Sequence, residues 1–388
     1  MRLMNDLHRS IVLDTLKVFA ATTLVAMLLM TLGGGAKEGI SRGLPPTLVL
    51  RIMPYLLPEV LRFVIPGCLL FAVCSVYGQM SAANEVTALK SLGINPLRIV
   101  WPALVLAYAL SMFTYWLYDL CAVWARPSLQ RQVAQSVDEI VYGYLKSNRS
   151  FRSQGVSIVV RDIVADRLIS PMVRIEAGKD SKAVVLMAEQ ARLRAEPTRG
   201  VLHIECDRGH LEVPGKGSLS FPDGFVQDVA LRDFNAMDDD QLSPAALGLA
   251  RIPSQVKKER EEIAKLLRAK QERPAQENAA KAQEAEMLRF RRERLNRLLA
   301  EPSRRLSNGL GCLCFSIVGV PVALLRRSAD VMSIFFLCFV PILLLYYPLL
   351  MLGESLARQG TYPQYSVWLA DLALLSAGIL LLFRSTRR

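Results

Sequence analysis

Asp119 and Asp371 are the residues whose setting most invites chemistry, because each carboxylate lies within an apolar run, where an ionisable group is costly. Facing aspartates are what an intramembrane aspartyl protease needs, and one alone would suit a proton- or ion-coupled transporter. Neither has a recognisable motif around it, so each reads as a helix-interior or interface carboxylate. Other catalytic patterns fail on spacing. His8, His203 and His210 are too scattered for a triad or a ligand set, and no H-E-x-x-H or G-x-S-x-G occurs. Lys179 in Gly178-Lys179-Asp180 and Lys216 in Gly215-Lys216-Gly217 lack the following Ser or Thr and the upstream glycine of a P-loop, which excludes ATP binding by that route. Of the 7 cysteines only Cys206 lies outside an apolar run, so neither a disulfide framework nor a metal cluster is expected. Cys312 and Cys314, two apart on a helix, point in different directions. No catalytic residue, metal or cofactor is assigned.

The elements that position these residues are six apolar stretches, at residues 11–32, 62–79, 97–123, 306–325, 331–352 and 367–383, three before and three after a polar middle. Each is close to the roughly 20 residues needed to cross a bilayer core. The first follows Arg2, His8 and Arg9 as a signal peptide would, but it exceeds an h-region of about 7 to 15 residues; the small residues at 33–36 are where cleavage would fall. Arg2, Arg9, Lys90, Arg98, Arg326, Arg327, Arg384, Arg387 and Arg388 all fall on one side if both termini are cytoplasmic. Lys37, Arg42 and Arg51 oppose that orientation. With net charge +12, anionic lipid rather than nucleic acid is the expected polyanion.

The middle divides by periodicity. Residues 156–160, 172–176, 183–187, 191–195, 200–206, 209–213 and 225–231 read as short strands of an antiparallel sandwich or open barrel on the outer side. Within one strand, Val201, His203 and Glu205 alternate with Leu202, Ile204 and Cys206, one set for solvent and one for a core. From about 254 to 305 a charged, Ala-rich stretch reads as two exposed helices broken near Pro274, either a partner or membrane-surface element or a solvated extension into the fourth apolar stretch.

The strongest local signal lies between the second and third stretches, Met80 to Ile94. It reads as a short helix on the cytoplasmic face. Ser81 or Asn84 would cap its start and Gly93 its end, with Met80, Val86, Leu89 and Leu92 resting on a membrane or partner. Glu85 is an acid on a basic surface. It either meets a cationic partner group or is solvated beside Lys90.

This segment resembles the small-Ser-x-x-Ser/Asn-Glu-x-x-Ala-Leu-[Arg/Lys]-x-x-Gly signature of the LptF/LptG (YjgP/YjgQ) permeases of the lipopolysaccharide export transporter. Arg304-Arg305-Leu306 to Gly319-Val320-Pro321 resembles the start of that family's fourth span. The 254–300 extension is longer and more charged than the family's usual connection. The resemblance implies a polytopic α-helical membrane protein of the bacterial inner membrane, with six transmembrane helices (3+3) and an inserted periplasmic β-jellyroll. The organisation would be residues 1–136 with a coupling helix at about 79–94, a β-domain at 137–235, a connector at 236–303 and the last three spans at 304–388.

It further implies a cavity shared with a homologous second permease, a cytoplasmic ABC ATPase dimer that supplies the power stroke, and a periplasmic jellyroll partner that receives lipopolysaccharide or a related glycolipid. Glu85, Leu89, Lys90 and Gly93 would then form the ATPase-coupling site. Lys37, Arg42, Arg51 and Arg62 would meet substrate phosphates, unless they are interfacial anchors or, for Arg62, paired with Glu59. Leu24, Met27, Leu28, Met30, Phe335, Phe336 and Leu343 would supply an acyl wall or simply face lipid. The expected function is therefore a non-catalytic permease subunit. The alternatives from other classes are a membrane-anchored scaffold and an ion-coupled transporter.

Overall fold

The computed structural model describes residues 2–36, 39, 46–135, 142–146, 149–153, 156–164, 167–175, 184–196, 201–213, 217–221, 225–230, 243–272, 278–326, 330–360 and 362–387. They fall into two compact units, Met1–Leu28 with Pro58–Trp124 and Leu242–Arg388, and Leu29–Leu57 with Ala125–Gln241.

Helix α1 (Arg2–Leu29) continues as a π-helical segment (Met30–Ala36). There follow α2 (Pro46–Ala82), α3 (Glu85–Ser91), α4 (Pro96–Leu120), a π segment (Cys121–Ala125) and α5 (Arg126–Gln135). After the strands come α6 (Ile252–Glu272), α7 (Asn278–Leu325), α8 (Val331–Pro341), a π segment (Ile342–Tyr346), α9 (Tyr347–Gln359), a 3-10 turn (Gln364–Trp368) and α10 (Leu369–Arg387). Among the described residues six helical stretches are long and apolar enough to cross a membrane: Asp6–Gly35, Thr47–Ala82, Pro96–Leu129, Ala285–Leu325, Val331–Gln359 and Gln364–Ser385. Each contains one of the six apolar runs read from the sequence.

The first unit is a helical bundle. Its core joins Leu69, Leu70, Val73 and Cys74 of α2, Ile99, Ala103 and Ala107 of α4, and Cys312, Val320 and Ala323 of α7. Close approach depends on small residues. A Cβ on Gly309 would stand 3.1 Å from that of Tyr115 and 3.3 Å from the Ser111 carbonyl, and one on Gly319 would stand 2.8 Å from Leu70. In hydrocarbon, where apolar burial drives little helix association, such contacts supply the packing. The Ile342–Tyr346 π segment lies between Pro341 and Pro348. Pro348 has no N–H for the Leu344 carbonyl four residues back, so the regular ladder cannot pass and the turn widens.

The second unit carries two antiparallel sheets. The six-stranded sheet has the order β1 (Ser150–Ser153), β2 (Val156–Val159), β5 (Met172–Ile175), β6 (Val184–Ala188), β9 (Gly209–Val213), β10 (Gly217–Phe221). The five-stranded sheet runs β11 (Phe225–Ala230), β8 (Val201–Cys206), β7 (Gln190–Glu196), β4 (Arg167–Ile169), β3 (Asp162–Val164). All seven strands expected from the sequence occur. Of four more, β1, β3 and β4 are three or four residues long, too short to show a period, whereas β10 alternates Leu219 and Phe221 with Ser218 and Ser220 and was not among the strands expected. Ile158, Leu168, Val173, Leu186, Ala191, Cys206 and Phe221 form the core. Cys206 thus faces inward as its alternation requires, while the side chains of 201–204 lie outside the described residues. Burial, with the Asp207 carboxylate nearby, pushes the Cys206 thiol up to about 11.

The charged stretch forms α6 and the first half of α7, an antiparallel pair closed by Glu259, which is 2% exposed and binds Arg291 at 3.0 Å and Arg294 at 2.9 Å. Leu247, Ile252 and Leu298 give the pair an interior of its own. Pro274 lies outside the described residues. Helix α7 runs unbroken through Pro302 into the fourth apolar stretch, 48 residues or about 72 Å at 1.5 Å per residue. The expected domain boundary at 303/304 therefore falls inside one continuous helix.

Candidate functional site

The segment singled out in the sequence is helix α3, seven residues between α2 and α4. Asn84 reverses the chain with φ of +58°, a left-handed conformation that Asn tolerates. Glu85 then opens the helix, where its charge complements the amino-terminal dipole. Gly93 ends it at φ of +78°. The Gly93 N–H donates to the Lys90 carbonyl at 3.0 Å and the Ile94 N–H to the Leu89 carbonyl at 3.2 Å, the two bonds of a Schellman cap.

Two expectations for this segment are corrected. Neither Ser81 nor Asn84 caps it by side chain; the Ser81 hydroxyl instead donates to the Leu324 carbonyl at 3.4 Å. Met80, Val86 and Leu89 do not face a membrane or partner, because they pack into the bundle core of their own chain. Val86, Leu89 and Lys90 share one helix face by their i, i+3 and i+4 spacing, and that face is turned inward. Lys90 Nζ donates to the Ser385 carbonyl in the last turn of α10 at 3.3 Å. The stripe beside it is Glu85, Ala88 and Leu92, all exposed, Leu92 to 76%. Ala88 was not singled out in the sequence; the i, i+3, i+7 pattern that marks it depends on where the helix starts.

Lys37 and Arg42 lie outside the described residues. Arg51 is exposed on α2. Arg62 is 8% exposed, ion-paired to Glu59, with its guanidinium 4.7 Å from the ring centroids of both Phe63 and Tyr118. Of the acyl-wall residues, Leu24, Leu28, Met30, Phe336 and Leu343 are exposed, whereas Met27 and Phe335 are half-buried.

The two aspartates sit in different environments. Asp119 receives the Arg305 guanidinium at 3.1 Å and the Leu249 N–H at 2.8 Å. Arg305 is 1% exposed; it also donates to Glu301 at 2.9 Å and to the Leu247 carbonyl at 2.6 Å. It fastens residues 245–249, by which the chain re-joins the bundle, to α4 and α7. Beside it a cavity of about 160 Å³ opens among Ser243, Ala245, Arg297, Glu301, Arg304 and Glu354. At about 30 Å³ per water it holds roughly five, too little for a glycolipid.

Asp371 is wholly buried and, among the described residues, accepts from neutral groups: Ser307 Oγ, Tyr346 Oη at 3.0 Å and Cys314 Sγ at 3.8 Å. Cys312 Sγ instead meets Thr114 Oγ1 at 3.6 Å, so the two thiols of the C-x-C diverge. Among the described residues no group of three metal-ligating side chains gathers.

What this arrangement supports is a membrane bundle that presents one short, acid-tipped helix face beyond its own packing. No individually curated protein matches the chain. A family model does, over residues 9–384 and hence nearly the whole length, the charged stretch included: the chain belongs to the lipopolysaccharide export system permease family LptF/LptG.

Proposed function

We propose that this integral inner-membrane protein is a permease subunit of an ATP-driven exporter of lipopolysaccharide or a related glycolipid. The observation that carries the reading is α3. Its inward face is consumed by the chain's own core, while Glu85, Ala88 and Leu92 form a ready stripe in which an acid, a small residue and an exposed leucine recur at helical spacing. A partner needs a cation for Glu85, and an apolar hollow for Leu92. A cytoplasmic ABC ATPase dimer is the partner proposed. Leu89, Lys90 and Gly93 shape and seat the helix rather than face that partner.

In this reading both termini are cytoplasmic, three spans precede a periplasmic β-jellyroll formed by the two sheets, and three follow it. The chain pairs with a homologous permease, and a cavity between them takes the lipid. Arg51, with Lys37 and Arg42, meets substrate phosphates by charge-assisted hydrogen bonds. Arg62, already committed to Glu59 and two rings, holds α2 against α4 instead. The β-domain hands lipid to a periplasmic jellyroll partner by sheet-edge pairing.

Pull-down of detergent-solubilised wild type and Glu85→Arg from the native host's cytoplasmic ATPase fraction tests this. Wild type is expected to retain an ATPase and the charge reversal to lose it. If neither retains one, the permease reading fails and a scaffold role takes its place.

A further inference from the structure

We infer that Lys90 and Asp371 are positioning residues that fasten the two ends of α10, making that helix the rod by which movement of α3 reaches the π segment of the fifth span. The inference deepens the coupling reading above and rests on it.

At one end, Lys90 binds the Ser385 carbonyl. The last four carbonyls of a helix have no partner within it, so a lysine there satisfies one and complements the negative end of the dipole. Lys90 is itself on α3, five residues after Glu85, and only eight residues separate the left-handed turn at Asn84 from the one at Gly93. Force on Glu85 therefore tilts a short rigid piece whose inward face grips α10.

At the other end, fourteen residues and about 21 Å along the axis, Asp371 holds Tyr346 Oη at 3.0 Å and Ser307. Tyr346 is the last residue of the π segment. Between these ends α10 has no proline, and Gly378 lies so close to Ile317 of α7 that a Cβ there would meet its backbone. A helix without a proline kink lying on a small-residue contact is suited to small shear. The π segment is a wide turn, and its conversion to α-geometry would rotate the following part of the span by about 100° per residue dropped. The polar contacts at the two ends of α10 thus connect the exposed stripe to the π segment of the fifth span.

The test is lipopolysaccharide release per ATP hydrolysed, measured in proteoliposomes of the full complex for wild type, Lys90→Met, Lys90→Arg, Tyr346→Phe and the double variant Lys90→Met/Tyr346→Phe. Lys90→Met and Tyr346→Phe are expected to retain the ATPase and its hydrolysis while release per ATP falls about tenfold. Lys90→Arg should restore release, and the double variant should be no worse than the poorer single one, because both act on one route. Wild-type release from Lys90→Met with ATPase bound, or losses that multiply in the double variant, would overturn the inference and leave the coupling reading standing. A wild type that binds no ATPase would overturn both.

Discussion

Two loops are fastened to this bundle by opposite means. Residues 245–249 are held by Arg305, a buried guanidinium that engages Asp119, Glu301 and the Leu247 carbonyl at once. Helix α3 is held by apolar contacts of Val86 and Leu89 and by a hydrogen bond from Lys90 to Ser385, and the end of α2 that leads into it by one from Ser81 to Leu324. A buried, multiply paired charge resists any displacement, because losing one partner leaves the rest uncompensated in a low dielectric. A single hydrogen bond to a helix-end carbonyl is exchanged for one to water at a net of about 1 kcal/mol for the Ser81 hydroxyl and about 1.5–3 kcal/mol for the Lys90 ammonium. The first seam is built to stay, the second to move.

Substitution at the two seams sharpens the contrast. Arg305→Ala is expected to cost about 3–5 kcal/mol, since Glu301 and Asp119 lose their shared cation, and to show as a large fall in thermal stability of the detergent-solubilised protein. A loss below about 1 kcal/mol would mean that water or Arg304 replaces the guanidinium. Ser81→Ala should cost no more than about 1 kcal/mol and leave the melting curve nearly unchanged, yet loosen α3; hydrogen exchange of the α3 amides, faster in the variant, is the measurement. If Ser81→Ala destabilised the whole bundle as much as Arg305→Ala, the distinction between a fixed and a movable seam would collapse.

The membrane bundle was legible in the sequence because apolar run length alone marks a span. Glu85 was legible for a different reason, since an acid after Asn84 and before Ala88-Leu89-Lys90 and Gly93 is a local pattern. Orientation within that pattern was not. Whether Lys90 points out or in depends on Ser385, 295 residues away, and Arg305 owes its role to Asp119, 186 residues away. Spacing along the chain carries neither relation. The same limit applies to α7: the change from a charged run to an apolar one reads as a boundary at 303/304, but the Glu259 clamp and the packing of Leu298 hold one continuous helix leading into it. β1, β3 and β4 stayed hidden because three or four residues show no period and take their structure from the neighbouring ladder.

The most direct test of the central claim places a photo-crosslinking residue at Leu92 and, separately, at Leu89, one turn apart on the chain, the first exposed and the second packed against the core, and asks what each captures in the intact host membrane. An ATPase adduct from Leu92 together with only intramolecular adducts from Leu89 is the result expected of an outward docking stripe on an inward-packed helix. An ATPase adduct from Leu89 but none from Leu92, or none from either, would contradict it.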